Sequence, residues 1–221
     1  MKLLFIILIG VVAIAGAIYA YYAAKKRRED MAKVATQLGL SYEPKDLSGK
    51  DRIYSSISLF NKGDAHQASN IISGNKEGAY VDIFDYQYST GSGKNRTTHL
   101  VSACILKIPQ QFRTLYIRPE NFFDKIAGAI GFDDIDFESK EFSSRFYVKS
   151  NDKKFAYDII HPQMMEFLMR FNRMPLIEIT GCYLAFYYQS VIEPEAYIGL
   201  YNFAREFYNK TPHYVLEECR R

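Results

Sequence analysis

From Leu3 to Ala24 the chain carries no charged side chain. As a helix that run rises about 33 Å, enough to cross a hydrocarbon core of about 30 Å. The hydroxyls of Tyr19, Tyr21 and Tyr22 gather at one end, where amphipathic rings favour the membrane interface. A cleaved signal peptide would have a shorter apolar run and a more basic start than Lys2 alone. The expectation is a retained single-pass anchor. Gly16, Ala20 and Ala24 form a small-residue stripe of the kind that lets helices approach, although such residues are common in any anchor.

Past the anchor the pattern becomes that of a folded domain. Met31, Val34, Ala35 and Leu38 share one face of a helix over 28–38, and Gly39 sits where a helix stops. This helix reads as a continuation of the anchor. Short strands are expected near 53–60 and 70–74. Tyr80 to Tyr88 is rich in aromatic and β-branched residues and reads as a strong strand, with a hairpin tip at 90–95. Thr97 to Ile108 returns as its partner, Pro109 ends it, and a further short strand covers 113–117. A helix is expected over 120–130, then an acidic bend and a half-buried strand over 142–149, where apolar and polar residues alternate. Asn151 is placed to cap the next helix, which Pro162 breaks and restarts. Segments 176–180 and 183–189 read as a hairpin around Gly181. Pro194 opens a last helix with an apolar stripe of Tyr197, Leu200, Tyr201, Ala204, Phe207 and Tyr208.

Strands joined by short turns favour an antiparallel sheet, and helices that do not alternate regularly with them favour α+β. The expected fold class is α+β: an N-terminal transmembrane helix, then a largely antiparallel sheet domain with several packed helices. The expected division is an anchor with its basic flank over 1–28, one globular domain over 29–212 and a loose tail over 213–221.

Composition changes little except for charge. The net charge of +3 comes from Lys2 and the run Lys25, Lys26, Arg27, Arg28; the rest of the chain has 23 basic and 25 acidic residues. That remainder carries no footprint for nucleic acid. By the positive-inside rule the basic run holds the domain in the cytoplasm. Cys104, Cys182 and Cys219 are too few and too scattered for a disulfide framework or zinc ribbon.

Candidate chemistry is sparse. Gly91-Ser92-Gly93-Lys94 lacks the earlier glycine and the following Ser or Thr of a phosphate loop, and sits between strands. Asp133, Asp134, Asp136 and Glu138 cluster without the spacing of a calcium loop. His66, His99, His161 and His213 have no zinc-motif neighbours. His99 and Cys104 point to opposite faces of one strand, as do Asp82 and Asp85. A buried Asp85 needs a partner, and Arg96 or Arg113 is the expected one. The sequons at Asn95 and Asn209 carry no meaning on a cytoplasmic domain. The sequence assigns no catalytic, cofactor-binding or metal-binding residue and no cofactor.

Several short segments taken together resemble a family of bacterial single-pass membrane-anchored proteins of unassigned role. They are Leu38-Gly39-Leu40, Asn70-Ile71-Ile72-Ser73-Gly74, Phe84-Asp85-Tyr86-Gln87-Tyr88, Ile108-Pro109-Gln110-Gln111-Phe112, Arg118-Pro119-Glu120, Asp134-Ile135-Asp136-Phe137 and Phe142-Ser143. The resemblance implies a bacterial envelope protein and carries no activity with it. The expectation is a non-enzymatic interaction module at the bacterial inner membrane. It is held there by residues 3–24 and engages another membrane or envelope protein. The alternatives are an enzyme whose cleft gathers Asp85, His99 and the 133–138 carboxylates, and a module that binds lipid headgroups.

Overall fold

The structure is a computed structural model and describes residues 2–120 and 135–220. All of the helix expected over 120–130 except Glu120, and Asp133 and Asp134, lie outside the described residues. The rest is α+β, as the patterning predicts: one long apolar helix, then an antiparallel sheet with helices packed on it.

The first helix, α1 (Lys2–Leu38), is continuous over 37 residues, a length of about 55 Å. Its most apolar stretch has a mean hydropathy of 2.0 and is uncovered by protein. It is long and apolar enough to cross a membrane. Its far end behaves differently. Met31, Val34, Ala35 and Leu38, spaced as one helical face, are all buried against the sheet. Gly39 then takes a left-handed conformation (φ 67°) and the chain turns into β1 (Ser41–Lys45).

Between β1 and the next strand the chain crosses to the opposite face of the sheet. There it forms a short helix, α2 (Lys50–Ile53), and a 3-10 turn over Ser58–Asn61, in place of the strand expected near 53–60. Tyr54, Ile57, Leu59 and Phe60 from this segment are buried against Phe84, Tyr86 and Tyr88. Local patterning could not foresee this, because these side chains pack outward from a coil onto the sheet's aromatic face.

Strands β2 (Asp64–Lys76), β3 (Ala79–Thr90) and β4 (Thr97–Pro119) form a continuous antiparallel meander. The sequence predicts that Pro109 ends β4. Instead β4 runs for 23 residues. Its register with β6 (Leu176–Tyr188) shifts between Lys107 and Phe112, so Pro109 lies in a bulge where its missing N–H breaks no ladder bond. The C-terminal segment fills that gap. Gln111 N donates to Cys219 O at 2.8 Å, and Gln110 bridges to Arg220. This is why residues His213–Glu218 form a helix, α7, where a loose tail is expected; Val215 joins the core.

Two further expectations change. Residues 142–149 do not form one strand: α3 (Lys140–Arg145) is capped by Ser139, and β5 (Phe146–Ser150) follows and pairs with the far end of β4. The alternation hides the turn of helix because what starts it is the Ser139 cap, whose Oγ accepts from Phe142 N at 3.2 Å. Segments 176–189 are one strand rather than a hairpin, because Gly181 takes φ 54° within β6, opposite the bulge of β4. The helix α4 (Lys153–Ile159) is capped by Asp152, not Asn151, whose side chain accepts instead from Thr114 N. Pro162 opens α5 (Pro162–Met169) as expected, and α6 (Ala196–Lys210) buries Tyr197, Leu200, Tyr201, Ala204 and Phe207.

Candidate functional site

Where the basic flank of α1 meets the sheet, one carboxylate gathers side chains from four elements. Asp85 sits in β3, on the face that α1 and α6 cover. Arg27 grips it with two hydrogen bonds, Nε to Oδ2 at 2.7 Å and Nη2 to Oδ1 at 2.6 Å. The third guanidinium nitrogen, Nη1, donates to Ile192 O at 3.0 Å. Tyr197 of α6 donates to Oδ1 at 2.6 Å, and Asn70 of β2 donates to Oδ2 at 2.7 Å. Tyr42 of β1 in turn donates to Asn70 Oδ1 at 2.9 Å.

The backbone is shaped for this. Asn70 has φ 52° and lies where the β2–β3 register shifts between Ser69 and Ile72. Asparagine tolerates that left-handed conformation, and the bulge re-aims its amide. The loop before α6 is held as well: Ile192 N donates to Ser102 Oγ of β4 at 3.1 Å. Planar, bidentate pairing is the strongest geometry an arginine and a carboxylate have.

The electrostatics agree with a closed junction. The Asp85 hydrogen bond raises the Arg27 guanidinium above its ordinary value, against the opposing effect of burial. Burial, reinforced by Asp85, holds the Tyr197 phenol well above its ordinary range. The tyrosine therefore stays a donor and the arginine stays a cation. Asp85 does need a cationic partner, but that partner is neither Arg96 nor Arg113. Arg96 pairs with Asp64 and Arg113 lies 3.9 Å from Asp152, both near the surface.

On the opposite face, Asp82 is 1% exposed and takes both of its oxygens to Lys50 Nζ, at 3.0 and 2.8 Å. Tyr54 donates to the same carboxylate. Burial pushes the Asp82 carboxyl above its usual range, while the bonds from Lys50 and Tyr54 pull it back. The group borders an open cavity of about 620 Å³. Asp82 and Asp85 thus serve opposite faces, as the alternation of a strand requires.

Glu178 in β6 is buried to 2% exposure, with Oε1 accepting from Ser58 N and Oε2 from Ser58 Oγ, each at 2.6 Å. Burial raises its pKa more than these bonds lower it. A raised folded-state value means that the native state binds its proton more tightly than the unfolded chain. Stability from this group is therefore lost as pH rises out of the ordinary carboxylate range. Glu178→Gln keeps an acceptor for Ser58 N and offers a donor to Ser58 Oγ. The expected outcome is a flatter decline of stability between mildly acidic and neutral pH, read by urea unfolding across a pH series.

Three of the histidines are held within the fold and the fourth lies at the surface. His66 Nε2 meets Lys62 O at 2.9 Å, His161 Nε2 meets Lys210 O at 3.0 Å, and His99 stacks on Tyr88. His213 is exposed beside Glu217. His99 lies on the aromatic face, whereas Cys104 and Asp85 lie on the helix-covered face, so no cleft joins them. Among the described residues no three His, Cys, Asp or Glu side chains gather as metal ligands. Gly91–Arg96 is a plain turn between β3 and β4, where a Cβ on Gly91 would collide with Asn95 O.

The fold and the junction describe a sheet domain clamped to the end of a helix long enough to cross a bilayer. No protein-family model and no curated protein matches this sequence. Among solved structures it is similar to the crystal structure of the mycobacterial trehalose monomycolate transport factor A, TtfA. The TM-score is 0.63 at 12% identity, over 84% of this chain and 93% of that one. At that identity the likeness is one of fold.

Proposed function

We propose that this chain is a membrane-anchored, non-enzymatic interaction module that presents its domain to another membrane protein at a fixed height above the bilayer. The observation that carries the reading is the Arg27–Asp85 clamp, which joins anchor and domain without a flexible linker. A free tether serves a domain that must search; a clamped one serves a domain that must be held in place. The structural neighbour is a trehalose monomycolate transport factor, which supports an accessory role in envelope lipid transport. The basic run at 25–28 supports a cytoplasmic domain on the inner membrane, and the resemblance carried by the short segments supports a bacterial envelope protein.

The docking face follows from the same junction. Ile192, whose carbonyl accepts from Arg27, also lines an open groove of about 600 Å³ with Phe171, Val191, Leu200 and Phe203. A groove beside the anchor is placed for the juxtamembrane segment of a partner. Gly199 lies on its wall, exposed on α6, with no atom within 4 Å of where a Cβ would stand. The Cβ of Gly199→Arg stands in open space, so its side chain projects at the groove, and the change favours the helix by up to about 1 kcal/mol. In-cell crosslinking of the full chain is expected to capture a membrane protein that Gly199→Arg loses while thermal stability holds. Capture that Gly199→Arg leaves intact would remove the groove, and no capture at all would remove the interaction reading.

A further inference from the structure

The ties between α1 and the sheet fix how the strands run relative to the membrane. At one end Lys76 Nζ donates to Leu38 O at 2.8 Å, and Lys76 pairs with Ala79 at the start of β3. At the other end Arg27 holds Asp85, further along the same strand. So β3 runs antiparallel to α1, from the domain end of the helix back towards the bilayer.

It does not stop at Asp85. β3 continues to Thr90, and β4 returns from Thr97. The turn between them stands beyond Arg27 on the membrane side. The five residues from Asp85 to Thr90 cover about 16 Å of strand. Between the two ties the stretch from Ala79 to Asp85, about 20 Å of strand, accompanies the stretch from Leu38 to Arg27, about 16 Å of helix, so at the same slant the strand from Asp85 to Thr90 advances about 13 Å along the axis. That equals about nine residues of α1, which reaches from Arg27 past Tyr19. The turn therefore stands level with Tyr19, Tyr21 and Tyr22, the aromatic end of the anchor, where headgroups lie.

We propose that the β3–β4 turn is a membrane-contact element that rests on the headgroups of an anionic bilayer. Its surface suits that place. Residues 91–98 are all exposed, and no acidic residue occurs from Gly91 to Val101. Lys94 and Arg96 supply positive charge, with Arg96 also paired to Asp64. Behind the turn, Leu100 and Val191 are each 46% exposed and share with Arg27 and Asp85 the rim of a small opening. That edge of the sheet is left uncovered where α1 departs into the membrane. The polar and basic groups at the tip match the headgroups.

The inference rests on the clamped junction proposed above, and its test is separate from partner capture. The full chain, in a Cys182→Ser, Cys219→Ser background, carries a fluorophore at either Ser92→Cys or Lys107→Cys. Lys107 pairs with Tyr80, near the end of β3 far from the anchor. Both proteins are placed in vesicles of equal parts phosphatidylglycerol and phosphatidylethanolamine, with a nitroxide on some of the headgroups. Quenching is expected to be several-fold stronger at residue 92 than at residue 107, and Lys94→Glu is expected to lower it at 92. Equal quenching at the two sites would overturn the contact, and quenching indifferent to Lys94→Glu would overturn its anionic preference. Either failure leaves crosslinking through the α6 groove untouched.

Discussion

Asp85→Ala is expected to destabilise the full chain by about 2–3 kcal/mol and to loosen the domain against its anchor. The substitution strips Arg27 of the acceptor for two of its nitrogens and takes from Tyr197 its 2.6 Å acceptor, leaving it the Phe84 carbonyl at 3.2 Å. It also removes the partner of the Asn70 amide. Breaking one side of a buried ion pair typically costs about 3–5 kcal/mol. The Arg27 side chain keeps 22% of its surface open to water, so hydration recovers part of that loss. Arg27→Lys should lose most of the same stability despite keeping its charge, because an ammonium cannot make the two parallel bonds. Chemical unfolding in detergent micelles measures both. A loss for Arg27→Lys as small as that of a surface substitution would mean that the geometry of the fork does not matter.

Asp82→Ala is the second large effect, at about 3–4 kcal/mol. Here the surviving partner is Lys50, whose side chain is only 7% exposed and which has both of its bonds to the lost carboxylate. The open cavity beside it lets water reach part of the ammonium, which keeps the cost below the extreme for a sealed charge. Tyr54 loses the same acceptor, and its buried hydroxyl is left to be satisfied elsewhere. Lys50→Met combined with Asp82→Leu should recover much of the stability, since an apolar pair of similar volume removes both charges together. A double variant no more stable than Asp82→Ala alone would show that the aromatic face depends on the pair for its packing.

Most of the architecture was legible because it rests on period. The stripe Met31, Val34, Ala35 and Leu38, the stripe of α6 and the aromatic run of β3 each repeat at the spacing of their element. The opposite placement of Asp82 and Asp85 follows from strand alternation alone. What the sequence hid depends on contacts between distant residues. Lys25, Lys26, Arg27 and Arg28 are equivalent to a rule that counts charge near a membrane. Only tertiary packing selects Arg27, 58 positions from its partner. Tyr197 reads as one member of an apolar stripe, and nothing local reveals where its hydroxyl points. Asn70 offered a faint signal, a turn-prone residue inside a strand. Pro109 and Gly181 were misleading for a related reason. Each breaks a regular strand, but Pro109 lies in the bulge of β4 and Gly181 pairs with Phe112 at its edge, where the ladder is already irregular.

If the clamp holds, anchor and domain move as one body in the membrane. Spin labels at Lys25→Cys and Lys45→Cys, both exposed positions, report on this in the full chain without Cys182 and Cys219, placed in a lipid bilayer. The native junction is expected to give one narrow distribution of distances, and Asp85→Ala a broad one. A broad distribution with Arg27 and Asp85 both intact would mean that the domain swings free of its anchor.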